Sequence, residues 1–214
     1  MAQQNQLLVL DQLATRRIVP VVVLDDAAHA APLADALAQG GLPVAEVTFR
    51  TAAAQESIRI MADRGDILIG AGTVLTVEQV DQAVAAGANY IVSPGTSRAV
   101  VERCQEHGVA VLPGAVTATE VQAALGFGLT TVKFFPAGTS GGVAAIKALA
   151  APFGGVKFVP TGGISAKNLH EYLAVPAITA VGGSWMVDKA LVNAGKFDEI
   201  AKLSAQAVAL AASL

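Results

Sequence analysis

The sequence predicts a single (β/α)8 barrel preceded by one extra helix, and three observations lead there. Short apolar runs rich in β-branched residues recur at residues 18–24, 44–49, 67–70, 90–92, 109–112, 131–134, 156–159 and 178–181. Ala-rich stretches with helical periodicity lie between them, at 28–39, 77–86, 97–107, 118–125 and 143–150 among others. Glycine or proline follows most of the runs. Strands alternating with helices indicate a parallel sheet, and eight units of roughly 25 residues match a closed ring near the lower end of its size range. An open doubly wound sheet needs a topological switch point, and the even spacing offers none.

The remaining elements follow in order. A helix at 7–15 precedes the first run and another at 200–210 follows the last, where it would close the ring. No Pro/Ser-rich linker or break in composition divides residues 1–214, so one domain is expected. With 53% apolar and 14% charged residues the chain has material for a large core, which excludes disorder. The net charge of −3 comes with no clustered basic face, so a nucleic-acid partner is not expected. One cysteine, Cys104, leaves no intramolecular disulfide framework and reads as an inert, half-buried thiol on a helix. The first residues lack a basic n-region, and no uncharged apolar run reaches the roughly 18 residues that span a bilayer, so neither export nor a membrane is expected. The reading is a cytoplasmic protein.

Candidate chemistry gathers at the C-terminal ends of the runs, the face that builds the active site in barrel enzymes. Thr131-Val132-Lys133-Phe134-Phe135-Pro136 places a lysine in a buried strand. Burial disfavours an ammonium ion, so a lysine in such a run can present the free amine that Schiff-base chemistry requires. Val156-Lys157-Phe158-Val159-Pro160 repeats the pattern, and spacing alone does not choose between the two lysines. In Val44-Ala45-Glu46-Val47-Thr48-Phe49-Arg50 the period-two split directs Ala45, Val47 and Phe49 to the helices and Glu46, Thr48 and Arg50 into the ring. Glu46 then suits a proton shuttle and Arg50 an anion clamp. The same residues also read as a buried ion pair that does no more than satisfy itself.

Thr161-Gly162-Gly163-Ile164-Ser165 and Gly182-Gly183-Ser184-Trp185 follow the last two runs and read as a phosphate cradle, or else as plain strand-to-helix turns. Metal-assisted chemistry would want clustered histidines. His29, His107 and His170 fall in helical stretches and read as surface residues. No nucleophile elbow, P-loop or dinucleotide loop is present.

Together, Val44 to Thr51, Gly70-Ala71-Gly72-Thr73-Val74-Leu75, Ser93-Pro94-Gly95, Lys133-Phe134-Phe135-Pro136-Ala137, Pro160 to Ile164 and Gly182 to Trp185 resemble the 2-keto-3-deoxy-6-phosphogluconate (KDPG) aldolases, a class I aldolase family. The resemblance runs from about Ile18 to the C-terminus. It implies that Lys133 rather than Lys157 forms the Schiff base and that Glu46 is the general acid/base, working through a water. It further implies that Arg50 and Thr73 hold a substrate carboxylate, that Phe135, Thr161 and Pro94 line the substrate, and that Gly162, Gly163 and Ser184 take a phosphate. The implied reaction cleaves a phosphorylated 2-keto acid to pyruvate and glyceraldehyde 3-phosphate in the Entner–Doudoroff pathway, with no cofactor or metal, in a homotrimer. Two alternatives remain open at this point: the same chemistry on the galactonate isomer or on 4-hydroxy-2-oxoglutarate, and a non-catalytic phosphosugar-binding barrel.

Overall fold

The structure is a computed structural model that describes residues 2–213; Met1 and Leu214, the ends of the expected 1–214 domain, lie outside the described residues. Eight short strands form: β1 (Ile18–Val22), β2 (Val44–Thr48), β3 (Leu68–Gly72), β4 (Tyr90–Val92), β5 (Ala110–Leu112), β6 (Thr131–Phe134), β7 (Lys157–Pro160) and β8 (Val181–Gly183). Nearly every strand residue is buried, as expected of parallel strands covered on both faces. Six strands pair in parallel in the order β5-β4-β3-β2-β1-β8, and β6 pairs with β7. Isolated bridges, Gly114 to Lys133, Phe158 to Ile178 and Thr161 to Gly182, link the pair to both ends of the six-stranded sheet. All the strands run the same way, so their C-terminal ends share one side.

The helices are α1 (Ala2–Arg16), α2 (Ala30–Gln39), α3 (Ala54–Ala62), α4 (Val77–Ala85), α5 (Arg98–His107), α6 (Ala118–Gly126), α7 (Gly142–Ala150), α8 (Leu169–Leu173), α9 (Lys189–Asn193) and α10 (Phe197–Ala212). Local chemistry starts several of them. The Thr76 side chain accepts from Gln79 N to cap α4, and Thr117 with Glu120 forms a reciprocal capping box on α6. In α2 the buried set Ala30, Leu33, Ala34 and Leu37 recurs at the spacing of one helical face. The core then runs between the helices and the sheet, with Phe134 and Phe158 in edge-to-face contact at 6.4 Å. Among the described residues no helix is long and apolar enough to cross a membrane.

All eight expected strands are present, but several boundaries move. The eighth was expected at 178–181; Ile178 has only its single bridge to Phe158, and the ladder with β1 runs from Val181 to Gly183. Its two glycines read as a turn from sequence, whereas tertiary crowding places them in the strand: a Cβ on Gly182 would sit 2.2 Å from Thr161 Oγ1. Strand β3 likewise extends through Gly72 rather than ending at Gly70. Helices α1 and α10 both run longer than their sequence patterns indicated. Cys104 is fully buried rather than half-buried.

Helix α1 is tied to the sheet through side-chain amides. Gln6 Nε2 donates to Val111 O at 3.0 Å and Gln6 Oε1 accepts from Val111 N at 2.8 Å. Strands β5 and β6 share only a single bridge, so Gln6 satisfies a stretch of strand edge that has no neighbouring backbone. Replacing Gln6 by Ala should therefore cost about 1–2 kcal/mol, the worth of two partly buried hydrogen bonds. The loss would appear as a lower urea midpoint; an unchanged midpoint would mean that water replaces the amide at no cost.

Candidate active site

Strand β6 carries Lys133 into the interior, where the residue keeps only 6% of its surface, and β2 carries Glu46 to meet it at 3% exposure. Lys133 Nζ donates to Glu46 Oε1 at 2.9 Å. Removing two such charges from water costs several kcal/mol each, which their attraction and hydrogen bond offset only when the geometry is good. The amine also lies 5.3 Å from the centre of the Phe135 ring, within cation–π range. Beneath the pair, Tyr90 is buried and its hydroxyl donates to Ala45 O at 3.0 Å. Burial, and secondarily the nearby charge of Glu46, pushes the Tyr90 phenol well above its ordinary pKa.

The two lysines left unresolved by spacing occupy different levels. The β6–β7 register pairs Thr131 with Lys157 and Lys133 with Val159, so Lys157 lies two residues lower, at the entry of β7. Its Nζ donates to Pro176 O at 3.0 Å in an exposed setting. Only Lys133 shares the interior with Glu46.

Arg50 departs from the sequence expectation. Strand β2 ends at Thr48, and Arg50 sits in the following turn, exposed at the mouth rather than inside the ring. The turn is set by Arg50 N donating to Thr48 O, while Thr48 Oγ1 donates to Val22 O and stays buried. Arg50 Nε reaches Thr73 Oγ1 at 3.4 Å. Thr73 itself has φ of 57°, a left-handed conformation that a β-branched residue rarely adopts and that the surrounding structure has to enforce.

Above the pair opens a cleft of about 290 Å³, with Arg50, Phe135, Thr161, Gly162, Gly163 and Ser184 in its lining. Gly162 and Gly163 have φ of 96° and 77°, which leaves the turn to glycine and exposes its backbone. Two residues that sequence reasoning missed, Asp188 and Lys189, line the same cleft, and Lys189 Nζ pairs with Asp25 Oδ1 at 2.9 Å. The signal available for them was slight: charges just past the last expected strand.

Below the cleft is an inner cavity of about 10 Å³ bordered by Glu46, Lys133, Tyr90 and Thr161, with Leu13 of α1 also on its wall. That is room for about one water. Thr161 borders both spaces, and its Oγ1 is buried with no hydrogen-bond partner among the described residues. A buried hydroxyl left unpaired is a place where a ligand group can bind. Pro94 and Thr73 border neither space, although Thr73 touches Arg50.

Other candidates lie apart. A hollow of about 310 Å³ opens at the opposite ends of β5 and β6, lined by Gln6, Gln105, Val111, Phe127 and Leu129 among others, and offers no ionisable group. Burial pushes the Cys104 thiol up to about 12, which keeps it protonated and unreactive at neutral pH. His107 and His170 are exposed as expected. His29 is half-buried instead, edge-on to Phe197 at 5.9 Å, with its Nδ1 enclosed.

An amine and a carboxylate in contact in a small buried cavity that shares Thr161 with an open cleft, with glycine turns and an arginine lining that cleft, equip a protein for amine catalysis on a carbonyl compound. Known proteins agree with that class. A family model described as KDPG and KHG aldolase matches residues 9–203. A protein of Treponema pallidum (strain Nichols) named 2-dehydro-3-deoxy-phosphogluconate aldolase is 51% identical over 199 residues, which covers 92% of this chain and 95% of its own length. The KHG/KDPG aldolase of Escherichia coli (strain K12) is 42% identical over 197 residues, with 92% of each chain covered. Among solved structures, KDPG aldolase from Legionella pneumophila, with pyruvate captured at low pH as a covalent carbinolamine intermediate, superposes with a TM-score of 0.89. That protein is 39% identical, and the match covers 92% of this chain and 97% of the other. The chain belongs to the KDPG and KHG aldolase family.

The left-handed Thr73 gives a stability test of opposite sign to an ordinary truncation. Thr73→Gly should relieve strain worth about 1–3 kcal/mol against a glycine entropy cost of about 0.4–1 kcal/mol. The variant should match or exceed the parent in chemical denaturation. A loss of about 1 kcal/mol or more would show that the contact with Arg50 outweighs the strain.

Proposed function

We propose that the protein is a class I aldolase that cleaves 2-keto-3-deoxy-6-phosphogluconate to pyruvate and D-glyceraldehyde 3-phosphate, with Lys133 as the Schiff-base residue. The observation that carries this reading is the 2.9 Å contact between Lys133 Nζ and Glu46 Oε1, buried yet adjoining a cleft through Thr161. In the same reading the eight strands and their helices form one (β/α)8 barrel domain, with α1 as an addition beneath it. The two single bridges between β7 and β8, and the one between β5 and β6, are what support closure. The protein works in the cytoplasm as a homotrimer, without cofactor or metal.

The reaction then runs as follows. Lys133 Nζ attacks C2 of the keto acid as its proton passes to Glu46, giving a carbinolamine. Glu46 returns a proton to the departing hydroxyl, water leaves and an iminium forms. Glu46, again a carboxylate, takes the C4 hydroxyl proton through a water, the C3–C4 bond breaks, and its electrons flow into the iminium to give an enamine and free glyceraldehyde 3-phosphate. The enamine takes a proton at C3 with the help of Glu46, and water hydrolyses the resulting iminium to pyruvate and the free amine. Covalent attachment divides one hard step into several easier ones, and positioned proton transfer adds about 10²–10⁴ in rate.

Arg50 and Thr73, already 3.4 Å apart at the mouth, are suited to the substrate carboxylate. Phe135, Thr161 and Pro94 line the chain of the substrate. The backbone of Gly162 and Gly163, together with Ser184, takes the phosphate. A second reading keeps the chemistry and changes the substrate to unphosphorylated 4-hydroxy-2-oxoglutarate. It is favoured by the name of the Escherichia coli relative, which carries both activities.

Treatment with pyruvate and borohydride tests the assignment directly. One pyruvate-derived adduct per chain should appear, and peptide mapping should place it on Lys133. An adduct on Lys157, or no adduct at all, would overturn the proposal.

A further inference from the structure

We propose that Gly72 is a positioning residue for Glu46: its missing side chain is the space that the carboxylate occupies to reach Lys133. The inference rests on the aldolase reading and extends it to a residue that lines neither the cleft nor the inner cavity.

Strand β3 alternates glycine on one face, at Gly70 and Gly72, and the two positions are filled from opposite neighbours. A Cβ built on Gly70 would lie 2.2 Å from Cε2 and from Cζ of Tyr90, which belongs to β4. A Cβ built on Gly72 would lie 2.2 Å from Glu46 Oε1, 2.6 Å from Cγ and 2.7 Å from Cδ, and Glu46 belongs to β2. Contacts under 3.0 Å essentially do not occur for real Cβ atoms, so something must shift. The atom most crowded is Oε1, the same oxygen that accepts the hydrogen bond from Lys133 Nζ.

Glu46 has little room to yield. It is 3% exposed, and the cavity beside it, bordered by Tyr90, Lys133 and Thr161, holds about 10 Å³. Tyr90 is fixed by its own bond to Ala45 O, and the slot it fills is the one Gly70 leaves open. A methyl group at position 72 therefore displaces Oε1 from the amine and leaves Lys133 in its strand. The register explains why the glycine stands there: Glu46 pairs with Gly70 and Thr48 with Gly72, so the Glu46 side chain reaches one step toward the mouth and lies across Gly72.

The consequence is specific to proton transfer. Gly72→Ala should still form an adduct with pyruvate on Lys133, yet exchange of the pyruvate methyl hydrogens with D2O should slow roughly 100-fold, within the range lost when a general acid/base is misplaced. A double-mutant cycle separates this from general damage. In a Glu46→Ala background, where the displaced group is absent, adding Gly72→Ala should change exchange by no more than about twofold and should no longer lower the melting temperature. Equal losses in both backgrounds, or parental exchange in Gly72→Ala alone, would overturn the proposal.

If Gly72→Ala does not fold, the clash account requires the Glu46→Ala/Gly72→Ala double variant to fold. A double variant that also fails counts against it. If the parent protein neither exchanges nor traps pyruvate, the aldolase reading falls, and the positioning claim is then read from crystal structures alone. The Lys133–Glu46 contact should be present in the parent and broken in Gly72→Ala; an unbroken contact would refute it.

Discussion

A single hydrogen-bonded ion pair, Lys133 to Glu46, sets the terms for everything around it. Two charges this deeply buried are tolerated only while each has the other, because either one alone would keep its desolvation cost and lose its compensation. The neighbouring walls are correspondingly fixed. Tyr90 lies below with its hydroxyl committed to Ala45, the Phe135 ring lies beside the amine, and β3 contributes no side-chain atoms at Gly70 or Gly72. The outcome is an amine with one close polar partner, beside a small cavity that Thr161 separates from the cleft.

The fold supplies that arrangement by parallel pairing. Because every strand runs the same way, the groups on successive strands arrive at one level, and the register fixes which level. Lys133 and Lys157 make the point: near-identical sequence surroundings, but two residues of offset leave one amine beside a carboxylate and the other against a backbone carbonyl near solvent. The rim is built differently, from turns. There the left-handed Thr73 and the left-handed Gly162 and Gly163 hold backbone and side chain in conformations that regular strands do not offer.

Much of this was legible in the sequence because burial of parallel strands writes itself as continuous apolar runs. Glu46 and Lys133 stood out as charges inside such runs, and the structure brings them together from β2 and β6. Arg50 misled because a period-two pattern says nothing about where a strand ends; the Arg50 N to Thr48 O turn ends β2 at Thr48, before Arg50 is reached. Gly182 and Gly183 misled for the converse reason. Glycine reads as a turn, but here Gly182 is demanded by the Thr161 side chain, which approaches from a distant segment, and Gly183 by the ring of Trp185, which folds back over the strand two residues on. Tyr90 gave no signal at all, since a tyrosine at a strand start is ordinary until its neighbours are known. Close approaches between distant segments are the part that a linear pattern does not carry.

The most direct test of the central claim is a crystal structure of the protein soaked with pyruvate. Electron density should run unbroken from Lys133 Nζ to C2 of the bound pyruvate, with Glu46 within hydrogen-bond reach of the new linkage and the pyruvate carboxylate toward Arg50 and Thr73. Pyruvate linked to any other lysine, or a Lys133–Glu46 pair left intact beneath pyruvate bound without a covalent bond, would contradict the account.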